Sequence, residues 1–302
     1  MITIADPEAA ALWAGEARSA VLTLGLVPTM GALHAGHFSL IERARRECDR
    51  VAVTIFVNPA QFGPREDLGR YPRTLETDLA LCRDRGVDLV LAPDDPASIY
   101  PPGFQTWVEV ADLSAPLCGE RRPGHFRGVA TVVTILLGIF RPQRAYFGQK
   151  DFQQARIVER LAADLRLGAR IVVLPTVREA DGLAMSSRNR YLSVSERALA
   201  VRIPAALQAA EEAYLAGERR GSILEALAAE RLGPASGLRL DYARILDAGT
   251  LNSLAGDRID GTPAGAVLAV AAFCGATRLI DNVRLGPGCE PVLAQGRYPG
   301  KE

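Results

Sequence analysis

The sequence predicts an α/β protein with a doubly wound parallel sheet, followed by a second, smaller α+β domain. Over the first 176 residues, short apolar runs rich in Val, Ile and Leu alternate with segments of helical spacing. Continuous apolar runs are typical of strands buried on both faces, as in parallel sheets covered by helices. Over residues 194–232 the sequence becomes rich in Ala, Leu and Glu, which indicates helices.

The first part of the chain has the strand and helix order of a Rossmann-like sheet. The predicted strands are residues 20–27, 51–57, 87–93, 145–148 and 170–175. In the helix after the first strand, Leu40, Ile41 and Ala44 share one side and charged residues occupy the other. A second helix is predicted over residues 74–85, where Thr74 begins a segment similar to a capping box.

The region 94–127 breaks this alternation. It contains one short strand-like segment, residues 106–110, within an otherwise irregular insertion. Long irregular insertions in compact domains are more often functional than idle.

The C-terminal part is predicted to have helices over residues 194–232 and strands over 240–247 and 266–275. The predicted domains are therefore residues 1–176, residues 177–285 and a tail, residues 286–302, whose lack of periodicity predicts partial disorder.

Composition excludes several classes of function. Lys plus Arg and Asp plus Glu both number 35, so the chain has no overall charge that would favour nucleic acid or an anionic membrane. The longest apolar runs are shorter than the roughly 20 residues that span a bilayer. The N-terminal residues show no basic start followed by an apolar block, so we expect a cytoplasmic protein. The five cysteines are widely spaced and form no C-x-x-C pair, which disfavours disulfides and structural zinc.

The segment PTMGALHAGH joins a predicted strand to a helix through a Gly-rich turn. Free backbone N–H groups and the helix dipole at such a turn predict an anion site, with phosphate as its occupant. Gly31 and Gly36 have the spacing of a P-loop, but His37 and Phe38 occupy the places of its lysine and hydroxyl, which disfavours a P-loop kinase. His34 and His37 could instead donate hydrogen bonds to an α-phosphate, as nucleotidyl transfer requires. A His-capped turn without a ligand remains an alternative, as does a zinc site that includes His125.

Polar residues follow three further strands or turns. Asn58 and Gln61 come after the second strand, where open α/β sheets bind ligands, and their amides suit a small polar substrate. Lys150 and Asp151 follow the fourth strand, and a lysine there suits phosphate. The segment Ser186–Arg188 offers hydroxyl and guanidinium donors for pyrophosphate. Each of these segments taken alone also fits an ordinary surface turn.

The last cluster, RRPGHFRGV, gathers three arginines and a histidine in the irregular insertion. We interpret Arg121, Arg122, His125 and Arg127 as a solvated basic loop, the commoner explanation for such a cluster.

Together, PTMGALHAGH, FVNPAQF, YPRT, RPGHFRGV, FGQKDFQQ and PTVREADGLAMSSRNRYL closely resemble the pantoate–β-alanine ligase family. The motifs follow in matching order from Val27 to Leu192, and the resemblance is looser beyond. The first motif is also similar to the H-x-G-H signature of a wider nucleotidyltransferase superfamily. The resemblance implies ATP-dependent condensation of pantoate with β-alanine to pantothenate, AMP and pyrophosphate through a pantoyl adenylate.

The resemblance also implies a set of site residues. His37 matches the family's proton donor, and the expected catalytic residues are His34, His37, Lys150, Ser186, Ser187 and Arg188. The expected ATP-binding residues are Met30, Gly31, Ala32, Leu33, His34, Ala35, Gly36, His37, Gly148, Gln149, Lys150, Asp151, Val177, Met185, Ser186, Ser187 and Arg188. Asn58, Gln61 and Gln154 are expected to bind pantoate, and Gln61 also β-alanine.

The family implies three further expectations. Asp78 corresponds to a magnesium-associated position of some members, but its neighbours differ, so Mg²⁺ is expected mainly on the phosphates of the substrate ATP. The smaller domain is expected to act as a partial lid, and the family implies a homodimer. The alternatives are another H-x-G-H nucleotidyltransferase with a different acceptor and a nucleotide sensor without catalysis. An aminoacyl-tRNA synthetase is disfavoured by the neutral charge.

Overall fold

A computed structural model describes residues 1–64, 66–234, 237–287, 289 and 292 of the chain. These residues divide into two compact units. The first unit comprises Met1–Gly148 and Gln153–Leu174, and the second comprises Gln149–Phe152 and the described residues from Pro175 onward.

The sheet of the first unit is parallel and doubly wound, which confirms the predicted fold class. Its strands are β1 (Ile2–Ile4), β2 (Leu24–Thr29), β3 (Arg50–Ile55), β4 (Leu89–Leu91), β5 (Arg144–Gly148) and β6 (Arg170–Leu174). Among the described residues they form one six-stranded sheet in the order β1-β4-β3-β2-β5-β6. The winding reverses between β2 and β5, and ligands of such sheets bind beyond the carboxyl ends of the strands at this point.

Seven helices lie in the described part of residues 1–174: α1 (Pro7–Ser19), α2 (Ala35–Glu47), α3 (Leu75–Asp84), α4 (Ala111–Ser114), α5 (Cys118–Arg121), α6 (His125–Phe140) and α7 (Phe152–Asp164). The predicted apolar side of α2, with Leu40, Ile41 and Ala44, is buried in one core cluster with Val27 and Val53 of the sheet. This packing fixes the direction in which α2 leaves the turn after β2.

Two local expectations in this unit are wrong. Residues 106–110 form no strand, and the N–H of Val108 donates to the Thr131 hydroxyl instead of to a neighbouring strand (3.0 Å). Thr74 precedes α3 without a side-chain bond to the helix backbone. Its hydroxyl donates to the carboxylate of Asp78 at 3.1 Å, so this side chain binds Asp78 and does not cap the helix.

The second unit has the predicted α+β composition. Its helices are α8 (Val194–Ala200), α9 (Arg202–Leu215) and α10 (Gly221–Arg231), and its strands β7 (Arg239–Asp247), β8 (Ala266–Cys274) and β9 (Thr277–Leu285) form an antiparallel sheet in that order. The core contains Leu207, Leu224, Val270 and Val283.

Most of the tail predicted to be disordered lies outside the described residues. Val292 is described and is fully buried in the core of the second unit. Its N–H donates to Glu211 of α9 (2.9 Å to one carboxyl oxygen), and its carbonyl accepts from Arg178 (3.0 Å). In the part of the chain that the structure describes, no helix is both long and apolar enough to cross a membrane.

Candidate active site

The turn after β2 has an unusual backbone that a buried carboxylate stabilises. Gly31 and Ala32 have φ angles of 79° and 50°, the left-handed region that side chains other than glycine rarely adopt. The N–H groups of Ala32 and Leu33 each donate to one oxygen of Asp78 at 2.9 Å. Asp78 lies on α3 and is only 1% exposed. These bonds reach across 46 and 45 residues of sequence and fix the turn in its left-handed conformation.

The backbone of this turn therefore has its acceptors within the protein. The N–H of Gly31 donates to the Thr29 hydroxyl at 3.1 Å, in addition to the two bonds to Asp78. The expectation of free N–H groups is wrong for Gly31, Ala32 and Leu33, and any contact with ATP there remains a prediction. Asp78 as a metal ligand also remains a prediction. Among the described residues, no group of three or more His, Cys, Asp and Glu side chains is arranged to hold a metal ion.

His34 and His37 form a reciprocal capping box at the start of α2. His34 is the N-cap, and its Nδ1 accepts the N–H of Gly36 at 3.2 Å. The Nδ1 of His37 accepts the N–H of His34 at 3.3 Å, and the two ring centroids lie 4.1 Å apart. Because a neutral imidazole carries one proton, acceptance at Nδ1 places that proton on Nε2. Both side chains can thus act as hydrogen-bond donors through Nε2 while Nδ1 caps the helix.

Gln61 forms hydrogen bonds with both Asn58 and Met30. The amide of Asn58, which is buried, donates to the Gln61 side-chain oxygen at 3.0 Å. The Gln61 amide donates to the Met30 sulfur at 3.3 Å. Asn58 in turn accepts from the hydroxyl of Tyr100 at 2.8 Å, and burial raises the pKa of Tyr100 so that it stays protonated. No sequence pattern indicated Tyr100, which lies 42 residues away in the irregular insertion.

The prediction of a solvated basic loop is wrong for two of its four residues, Arg122 and His125. Arg122 donates to both carboxyl oxygens of Glu66 at 2.8 and 2.5 Å, and His125 is buried. The Nδ1 of His125 lies 2.8 Å from the backbone oxygen of Gln61, and Arg122 also donates to that oxygen at 3.3 Å. Burial alone would raise the pKa of Glu66, but the hydrogen bonds and charge of Arg122 hold that pKa below its usual value. Glu66, Arg122 and His125 therefore stabilise the turn that carries Gln61.

Gln153 and Gln154 are adjacent side-chain amides in α7 that differ in burial. Gln154, the predicted pantoate ligand, is partly exposed. Gln153 is buried and binds the insertion: it donates to the carbonyls of Leu113 (2.9 Å) and Pro116 (2.6 Å) and accepts from the N–H of Cys118 (3.1 Å).

Apart from Gly148, the other predicted ATP residues lie in the second unit, on a short turn and a hairpin. Gly148 ends β5, and Gln149–Asp151 form one 3-10 turn before α7. The Lys150 ammonium lies 3.7 Å from the Asp151 carboxylate. The N–H of Met185 donates to the carbonyl of Val177 at 2.9 Å, so the two arms of a hairpin bring these predicted residues together.

The segment Ser186–Arg188 continues that hairpin into a second 3-10 turn. The hydroxyl of Ser186 accepts the N–H of Arg188 at 3.3 Å and caps the turn Ser187–Tyr191. The capping fixes the backbone from which the hydroxyl and guanidinium donors project.

Comparison with known proteins agrees with the motifs. The family model described as pantoate-beta-alanine ligase matches residues 3–284. The chain belongs to the pantoate-beta-alanine ligase family. The resemblance inferred from the motifs is thereby confirmed, and it extends well beyond Leu192, where the motifs end.

Related sequences and structures of this family cover nearly the whole chain. The chain is 54% identical to the pantothenate synthetase of Myxococcus xanthus, over 91% of this chain and 92% of that one. A crystal structure of pantothenate synthetase from Thermus thermophilus has a TM-score of 0.86 at 44% identity, and covers 95% of this chain and all of that one. A pantoate-beta-alanine ligase from Francisella tularensis, solved with a β,γ-ATP compound and β-alanine, has a TM-score of 0.76 at 32% identity and covers 95% of this chain and 99% of that one.

Proposed function

We propose that this chain condenses pantoate with β-alanine in an ATP-dependent reaction that passes through a pantoyl adenylate. The observation that carries the proposal is the reciprocal capping box of His34 and His37, which directs the proton of each imidazole to Nε2. Family membership supports the substrates, since the Francisella tularensis relative was solved with an ATP compound and β-alanine.

In the first half-reaction, a carboxylate oxygen of pantoate attacks the α-phosphorus of ATP, and the bond to the pyrophosphate oxygen breaks. Negative charge increases on the α-phosphate oxygens, and hydrogen-bond donors placed in advance stabilise it. We assign this role to Nε2 of His34 and of His37, each of which donates a hydrogen bond and keeps its proton. The family's proton-donor position, which His37 matches, is interpreted as this hydrogen-bond donation. Lys150 contributes a cation, and the segment Ser186–Arg188 contributes donors for the pyrophosphate.

In the second half-reaction, the amine of β-alanine attacks the acyl carbon of the adenylate. The bond to the AMP oxygen breaks, AMP leaves as the phosphate monoester, and the amine passes a proton to water as the amide forms. A carboxylate activated in this way needs no serine or cysteine nucleophile, so positioning of the reactants determines the rate. We assign pantoate to Asn58, Gln61 and Gln154, and the incoming β-alanine to Gln61. The fixed Asn58 amide orients the Gln61 side chain for both substrates.

Mg²⁺ is proposed to arrive with the phosphates of ATP and not on a protein carboxylate. Both oxygens of Asp78 accept N–H groups of the turn, and Thr74 donates to one of them as well. This donor set commits Asp78 to the protein backbone, so no step is assigned to a metal that Asp78 holds. We further propose a cytoplasmic location, where ATP is available, and the homodimer typical of the family.

The test follows products with and without the amine. Purified protein is given ATP, Mg²⁺ and pantoate, with or without β-alanine, and pyrophosphate, AMP and pantothenate are measured. We expect pantothenate and AMP in equal amounts only with β-alanine. Pyrophosphate without an amide product would indicate a nucleotidyltransferase with another acceptor, and ATP binding without pyrophosphate would indicate a sensor. His37→Ala and Lys150→Ala should fold and lose adenylate formation by orders of magnitude. Light scattering measures the proposed dimer.

A further inference from the structure

Asn282 is a buried amide in β9 whose side chain binds the turn that carries Lys150. It is 2% exposed. Its Nδ2 donates to the backbone carbonyls of Gln149 (3.0 Å) and Lys150 (2.9 Å). Its Oδ1 faces the Gln149 side-chain amide at 3.5 Å. Both protons of the Asn282 amide are therefore used on two consecutive carbonyls of one turn.

A buried asparagine in the middle of a strand such as β9 is unusual. Asparagine is depleted in strands, and side chains along a strand point alternately to opposite faces. Leu279 and Val283 belong to the core of this unit, whereas Ile280 and Arg284, on the same face as Asn282, are only partly buried. Asn282 is buried on that second face because the turn Gln149–Asp151 covers it.

The backbone of Asn282 is held as firmly as its side chain. Its N–H donates to the carboxylate of Asp281 at 2.8 Å. Asp281 also accepts two hydrogen bonds from Arg178 at 2.7 and 3.1 Å, and the two side chains of this ion pair are 2% and 1% exposed. Arg178 follows Val177 in the hairpin. Adjacent residues of β9 thus connect the predicted nucleotide-binding hairpin with the Lys150 turn.

We propose that Asn282 is a positioning residue for Lys150, an inference that rests on the proposed function of Lys150. A lysine side chain is long and flexible, so the place of its ammonium group depends on the backbone that carries it. Asn282 fixes that backbone through the carbonyl of Lys150 itself. A displacement of about 1 Å in a reacting constellation can cost about 100-fold in rate.

The experiment compares Asn282→Ala and Asn282→Asp with Asn252→Ala and Asn252→Asp. Asn252 is exposed in the same unit and provides matched controls. With two hydrogen bonds lost, we expect Asn282→Ala to lower kcat about 10- to 30-fold, with the KM for pantoate changed less than about twofold. Asn282→Asp should lose more, since it places a carboxylate oxygen against two carbonyl oxygens. The Asn252 variants should match the unsubstituted protein.

A double-mutant cycle with Lys150→Ala separates positioning from a general structural effect. If Asn282 acts through Lys150, adding Asn282→Ala to Lys150→Ala should cost less than about threefold more. If Asn282→Ala lowers kcat as much in the Lys150→Ala protein as in the unsubstituted protein, the inference is overturned. An unchanged kcat in both Asn282→Ala and Asn282→Asp would also overturn it. The proposed function would survive either result. Near-normal turnover of Lys150→Ala would instead remove the proposed role of Lys150. Circular dichroism and Tm identify variants that do not fold. If an Asn282 variant does not fold, Asn282→Ser replaces it; this variant keeps one hydrogen-bond donor, so we expect a smaller loss of kcat than for Asn282→Ala.

Discussion

Replacing either histidine of the capping box by asparagine separates helix capping from catalysis. An asparagine side chain can present an acceptor near the position of the imidazole Nδ1, but it has no atom at Nε2. His34→Asn should therefore keep the bond to the Gly36 N–H, which is 3.2 Å long, and His37→Asn the bond to the His34 N–H. His34 is the N-cap, where asparagine is among the best residues, so we expect His34→Asn to change the free energy of unfolding by less than about 0.5 kcal/mol.

The catalytic effect of the same substitutions should be large. Loss of one donor at a developing oxyanion typically lowers kcat by about 100- to 1,000-fold, or about 2.7–4 kcal/mol. Pyrophosphate release with saturating ATP, Mg²⁺ and pantoate measures this step, and urea unfolding measures stability. His34→Ala is the control, because it removes the cap and should lose about 1 kcal/mol of stability as well. Turnover of His34→Asn within about threefold of normal, or a stability loss equal to that of His34→Ala, would refute the division of roles between the two nitrogens.

Three further predictions concern the surroundings of the site. Gly128→Ala places a Cβ about 2.2 Å from the backbone oxygen of Ala60, next to Gln61. It should cost about 1–3 kcal/mol of stability and raise the KM for pantoate. The control Gly138→Ala, on the same helix, meets nothing within 4 Å and should gain up to about 1 kcal/mol of stability in thermal unfolding. Asp78→Asn replaces one acceptor by a donor that faces an N–H, so urea unfolding should show a loss of about 1–3 kcal/mol. Folding lowers the pKa of Glu66 below its ordinary value of 4.5, so the ionised carboxylate stabilises the folded state above that pH, and this stabilisation is lost as the pH falls. Unfolding curves should therefore show that the unsubstituted protein is more stable than Glu66→Gln, by a margin that shrinks below about pH 4.5. A margin that does not change with pH would contradict this prediction.

The central strands could be predicted from sequence because they are buried on both faces. The predicted run 51–57 corresponds to the central strand β3, whose residues Val51–Thr54 are buried and nearly all apolar. The run 170–175 corresponds to β6, an edge strand that is only partly buried but still apolar in sequence. In contrast, β1 has only three residues, mostly exposed, and β9 is interrupted by the pair Asp281 and Asn282. Neither strand has a continuous apolar run: β1 is short and mostly exposed, and in β9 the core residues Leu279 and Val283 are separated by the polar pair.

The candidate site was predictable in its motifs but not in its contacts. The motifs indicated His34, Gln61 and Lys150 because each follows a strand or begins a helix. The partners of these residues lie far away in sequence: Tyr100 is 42 residues from Asn58, and Asn282 is 132 residues from Lys150. Such pairs depend on which elements meet in three dimensions. The one local signal that could have been used is Asp281–Asn282, two polar residues inside an apolar strand.

In the turn after β2 the backbone N–H groups are already bonded within the protein, which explains why histidine suits the start of α2 better than lysine. In a P-loop the backbone N–H groups surround the phosphates and a lysine adds charge. Here the N–H groups of Ala32 and Leu33 donate to Asp78, and that of Gly36 donates to His34. A phosphate bound as proposed must therefore be contacted by side chains. Lysine has three donors and no acceptor, so it could not cap α2. Imidazole has one nitrogen for the helix and another for the ligand, which makes the cap and the proposed catalytic donor parts of the same ring.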